Sequence, residues 1–155
     1  MNPAAVASRT VQAGTSGLGD GRIDNLIIDR SAHLVTGTVV LVTMTLATGL
    51  VLRHALRDEP VGRPAAVAIA LAQVALTIQL LLGIKLLDQG QGIVQLYIHY
   101  IGGLVPLGSF LVGGWFARGD SGRSSRILAG LLVVGYISAL MAFIIGRSYA
   151  NTVIG

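Results

Sequence analysis

The chain contains no cysteine. That excludes a disulfide, a thiolate metal site, an iron–sulfur cluster and any covalently attached c-type haem. Charge is scarce too, at 12% of residues against about a quarter in a soluble domain. Glu59 is the sole glutamate and stands beside Pro60. No pair of carboxylates therefore lies inside an apolar segment. No nucleophile elbow, phosphate loop or metal cluster is present, and the Gly-rich stretch 14–21 lacks the strand–helix context that phosphate binding needs. Independent catalysis is not expected. The net charge of +4 comes from basic residues spread over loop ends, without a basic run or interleaved aromatics, so nucleic acid is not an expected partner.

What the chain does have is apolar length. Hydrophobic residues make up 53% and the mean hydropathy is +0.74. Residues 31–52, 64–84, 89–117 and 127–146 carry no charge, and a spanning helix needs about 20 apolar residues. Lipid offers no hydrogen bonds to the backbone, so such runs must be helical. The fold expected is all-α: an integral membrane four-helix bundle of two tandem helical hairpins, with helices near 27–53, 64–87, 92–117 and 126–147. Residues 1–25 are expected to form a flexible N-terminal segment, residues 26–150 the transmembrane domain and residues 151–155 a C-terminal tail. The N-terminal segment has no apolar core of a signal peptide; an arm that orders on a partner subunit is the alternative. Arg53, Arg57 and Arg63 mark the first loop and Arg118, Arg123 and Arg126 the third, whereas the second has only Lys85 and Asp88 nearby. Arginine-rich loops stay in the cytoplasm, which puts both termini outside the cell membrane.

The two halves read alike. His33 is followed by Gly37, Val39 and Leu41, and 66 positions later His99 is followed by Gly103, Val105 and Leu107. Gln79 to Lys85 likewise matches Ala142 to Arg147, with Gly83 opposite Gly146. A duplication of this kind relates two hairpins by a pseudo-twofold axis along the membrane normal. It makes His33 and His99 symmetry mates facing each other across the bundle.

Ionisable groups inside a bilayer are costly and mark function. Residues at i and i+4 share a helix face, so His33 with Gly37, and His99 with Gly103, would each pair an imidazole with a bare backbone patch. That combination suits a flat macrocycle ligated by two imidazoles, with haem b as the expected cofactor and His33 and His99 as iron ligands. Arg30, Lys85 and Arg147 lie at the interface, where they could meet haem propionates or simply snorkel. Either histidine could instead donate to a backbone carbonyl of a neighbouring helix and lock the packing. His54 reads as an interfacial residue, and Gln79 as a polar group able to bond across the bundle or touch a cofactor. Thr36, Thr38, Thr43, Thr45 and Thr48 can bond their own helix. Ala68, Ala72, Ala75, Gly135, Ala139 and Ala142 form small-residue stripes that allow close helix approach.

His33 opening one helix, Gln79-x-x-x-Gly83 in the next and His99 in the third resemble one four-helix half of a heme A synthase, over about residues 29–110. Small b-type membrane cytochromes are similar in general plan. The resemblance implies a haem-holding scaffold. The synthase has Arg directly after its first histidine and Glu three residues before it; here Leu34 and Arg30 stand there, and only one half is present, which argues against synthase chemistry. Two functions are expected. One is a small membrane subunit with a bis-histidine haem b, passing electrons within or beside a larger bioenergetic complex, with a quinone as one partner it could serve. The alternative is a cofactor-free accessory subunit of a respiratory or photosynthetic membrane complex.

Overall fold

The computed structural model describes residues 26–90, 97–116 and 121–154. They form four helices: α1 (Arg30–Leu56), α2 (Arg63–Asp88), α3 (Tyr97–Phe116) and α4 (Gly122–Ile154). Three stretches are long and apolar enough to cross a membrane, namely Arg30–Leu56, Arg63–Asp88 and Gly122–Ser148. Three of the four expected spans are thus candidates by length and composition among the described residues, and the other, 89–117, lies partly outside them.

Local chemistry sets the helix ends. Asp29 caps α1, accepting from the Ser31 amide at 2.6 Å, which answers one of the orphan N–H groups of the first turn. The helix therefore begins at Arg30 and not near residue 27. Hydrogen bonding from Ser31, its side chain first and its amide second, holds the Asp29 carboxyl below its ordinary range. Proline at the start of α2 supplies a preset φ where no amide is needed. Asp58 closes the first hairpin with φ 54°. α4 continues to Ile154, so residues 151–154 extend the last helix where a separate tail was expected, and it starts at Gly122, ahead of residue 126. Residues 1–25, 91–96, 117–120 and 155 of the expected segments lie outside the described residues.

Each helix packs against the next, and α4 closes on α1, leaving α1 diagonal to α3 and α2 diagonal to α4. The core is a column of inward residues at helical spacing: Val40, Met44, Ala47 and Val51 from α1, Ala65, Ile69, Ala72 and Leu76 from α2, Phe110 from α3, Leu128, Leu132 and Ala139 from α4. Large apolar side chains cover the outside as well, such as Leu46 at 59% and Leu81 at 59% exposure. A helix apolar all round belongs in lipid, and a water-facing surface of this kind would aggregate.

The duplication extends to packing. Shifting α1 by 66 positions brings buried Val40, Met44 and Ala47 onto buried Pro106, Phe110 and Gly113. Shifting α2 by 63 brings Ala65, Ile69, Ala72 and Leu76 onto Leu128, Leu132, Gly135 and Ala139, all buried. The two hairpins bury the same register, although few of the paired residues are identical.

Candidate functional site

The first turns of α1 and α3 meet the C-terminal part of α2 at Gln79 and Gly83 and the stretch 142–146 of α4, which runs on for about two further turns to Ile154. There the two histidines come together from diagonal helices. Their ring centroids lie 6.3 Å apart with the planes at 63°. Two imidazoles bound on opposite sides of one metal ion, at about 2 Å from each nitrogen, have centroids roughly 6 Å apart.

Each ring is held differently. His99 Nδ1 lies 2.9 Å from the Ala142 carbonyl. A carbonyl only accepts, so Nδ1 carries the proton and Nε2 keeps its lone pair. This is how metal-bound histidines are usually oriented by their surroundings, and it is equally how a histidine locks two helices together. His33 Nε2 lies 3.1 Å from Gln79 Nε2, and Thr36 donates a very short hydrogen bond to Gln79 Oε1. Thr36 thereby turns the amide nitrogen toward the imidazole. His33 Nδ1 is buried and has no hydrogen-bond partner, a state that costs about 1–3 kcal/mol. Tyr100 packs edge-on against His99 with centroids 5.8 Å apart.

The glycines that touch the rings are not those expected. A Cβ on Gly83 would stand 3.3 Å from His33 Cε1, and one on Gly146 would stand 2.9 Å from His99 Cε1. Gly103 has nothing within 4 Å, and Gly37 faces Gln79 and Phe143. Helical side chains lean toward the N-terminus of their own helix, so each imidazole turns away from the glycine four residues later. It covers instead the glycine of the antiparallel neighbour. The repeat carries this pairing: His33 sits on Gly83 as His99 sits on Gly146.

The cationic candidates differ in setting. Lys85 is 8% exposed and its amine lies 2.5 Å from Asp88 Oδ2. The side chains of Arg30 and Arg147 are exposed. Gln89 clasps the segment before α1, accepting from the Ile28 amide at 2.6 Å and donating to its carbonyl at 2.8 Å. His54 lies at the opposite end, with Nδ1 3.5 Å from Glu59, and is no part of the pair. Thr38, Thr43 and Thr45 bond carbonyls of their own helix, the Ala32 carbonyl at 2.9 Å is the alternative acceptor for the single Thr36 proton, and buried Thr48 has no partner for its hydroxyl.

Two cross-helix bonds escaped sequence reasoning. Gln73 Nε2 donates to the Phe110 carbonyl at 2.6 Å, and Thr45 meets the Tyr136 hydroxyl at 3.2 Å. The signal was present, because Gln73 and Tyr136 are partners under the 63-position shift.

The residues fit a bis-imidazole metal ligation in donor type and separation, but with Gln79 donating to His33 Nε2 the ring proton sits on Nδ1, so His33 has a lone pair for a metal only once Gln79 turns away. A flat macrocycle between the rings requires Gln79 and Phe143 to turn aside from Gly37. Among the described residues no group of three or more His, Cys, Asp or Glu side chains gathers into a metal site, so a bare ion held by protein ligands alone lacks a ligand set. No known protein family, characterised protein or solved structure matches the chain.

Proposed function

We propose that this chain is a small integral membrane module that holds haem b between His33 and His99 and relays electrons within or beside a larger bioenergetic complex. The single observation that supports this is the approach of two imidazoles from diagonal helices to 6.3 Å. The likeness to half of a heme A synthase points the same way. Haem iron ligated by two imidazoles supplies a one-electron carrier. The protein's part is to orient His99 through the Ala142 carbonyl and to exclude water, while Gln79 turns away from His33 Nε2 to free its lone pair. Lys85 lies at the same end, where its amine is paired with Asp88, and offsets propionate charge when that pair opens. In the membrane, the arginine-bearing first and third loops face the cytoplasm and both termini face outward.

One observation favours the alternative of a cofactor-free accessory subunit: both rings already contact protein partners, as packing histidines do. The visible spectrum of protein extracted in mild detergent separates the two. Haem b ligation gives a low-spin Soret band, which His99→Ala abolishes and His33→Ala shifts or abolishes. Absence of the band, or a band unchanged in both variants, rejects the haem reading.

A further inference from the structure

The end of the bundle opposite the histidines carries a cleft that the haem reading leaves unused. It opens between α2 and α3, has a volume of about 420 Å³, and is lined by Ala66, Ala70 and Gln73 from one helix and Leu111, Gly114 and Trp115 from the other. It lies within the range of small-molecule pockets, about 300–1,000 Å³. The small residues make the gap. Gly114 lets Gln73 come close, since a Cβ there would stand 3.1 Å from Gln73 Nε2. Gln73 then closes the floor through its bond to the Phe110 carbonyl.

The cleft runs along one helix face. Arg63, Ala66, Ala70 and Gln73 follow the 3-4-3 spacing of a single stripe on α2. From Arg63 to Gln73 is about 15 Å at 1.5 Å per residue, half of a hydrocarbon core about 30 Å thick. The cleft itself spans about 10 Å of this, from Ala66 to Gln73, and Arg63 lies one turn beyond it on the same stripe. Trp115, 80% exposed, stands at the rim, where indoles sit at a lipid interface. Positive charge predominates at this end: Arg53, Arg57, Arg63 and Arg123 are exposed, Asp58 is paired with Arg126 at 3.2 Å, and Glu59 is the one other acid of the first loop.

We infer that this cleft is a binding site for an anionic phospholipid. One acyl chain lies along Ala66 and Ala70 down to Gln73, and the phosphate meets Arg63. A zwitterionic lipid fills the groove equally well but gains nothing from the arginines, each worth about a fivefold preference near an anionic headgroup. The inference rests on membrane insertion and is independent of haem.

Trp115, the sole tryptophan, reports on its own site. The full-length protein is reconstituted in phosphatidylcholine vesicles containing a small fraction of phosphatidylglycerol, with bromine midway along the acyl chains of one lipid or the other. Brominated phosphatidylglycerol quenches Trp115 fluorescence well beyond its mole fraction, Arg63→Gln cuts that preference about fivefold, and Ala70→Leu, which fills an exposed groove without touching the core, removes it. Quenching in proportion to mole fraction for both lipids, or an excess that survives Ala70→Leu, overturns the site and leaves the membrane reading standing. Absence of quenching by either lipid overturns both.

Discussion

Replacing Gly146 by alanine tests whether the histidine end is packed as tightly as the geometry says. The new Cβ would stand 2.9 Å from His99 Cε1 and 3.2 Å from its Nδ1, whereas carbon atoms rest at about 3.5–4.0 Å. The ring cannot simply swing away, because the Ala142 carbonyl holds its Nδ1 at 2.9 Å. Overpacking of this kind costs about 1–3 kcal/mol, and loosening the hydrogen bond costs about 1 more. Alanine returns about 1 kcal/mol by removing the glycine penalty in a helix. The expected net loss is about 1–3 kcal/mol. Gly83→Ala is the matched control on the other half of the repeat. Its Cβ meets only His33 Cε1, at 3.3 Å, so the helix gain balances the contact and stability stays within about 1 kcal/mol of wild type. Unfolding by dodecyl sulfate in mixed micelles, followed by far-ultraviolet circular dichroism, measures both. Gly146→Ala should unfold at clearly lower denaturant than Gly83→Ala. Equal midpoints, or the reverse order, would refute the tight seat assigned to His99.

Gly122→Ala should destabilise by about 2–3 kcal/mol, because its Cβ would sit 2.5 Å from the Asp58 carbonyl oxygen, a backbone atom with no easy retreat. Gly130→Ala in the same helix meets nothing within 4 Å and should be neutral or gain up to about 1 kcal/mol; the same dodecyl sulfate titration checks the pair. For topology, the cysteine-free background allows single labels. Asn2→Cys should react with an impermeant maleimide from outside sealed cells and Glu59→Cys only after lysis, while labelling of both from one side would reject the proposed orientation.

Sequence reasoning reached the helices because lipid leaves a charge-free run only one way to satisfy its backbone. It placed the two histidines as mates because a duplicated hairpin repeats its depth and direction, and the 66- and 63-position shifts are visible without coordinates. It also singled out Gln79 as the polar group of α2 able to reach across. It missed helix ends at both termini, since a cap such as Asp29 on Ser31 is decided by one local hydrogen bond and not by hydropathy. It assigned Gly37 and Gly103 to the rings, because spacing along one helix says which residues share a face but not which way a side chain leans or what the neighbouring helix presents. Gly83 and Gly146 took that place only when antiparallel partners were set side by side. The burial of Lys85 beside Asp88, the Asp58 carbonyl against Gly122 and the cleft closed by Gln73 are likewise products of contact between helices. The amino-acid order thus determined what crosses the membrane and what repeats. Only the tertiary structure decided which atoms touch, because lipid supplies no hydrophobic drive between helices and the outcome turns on close packing and a few hydrogen bonds.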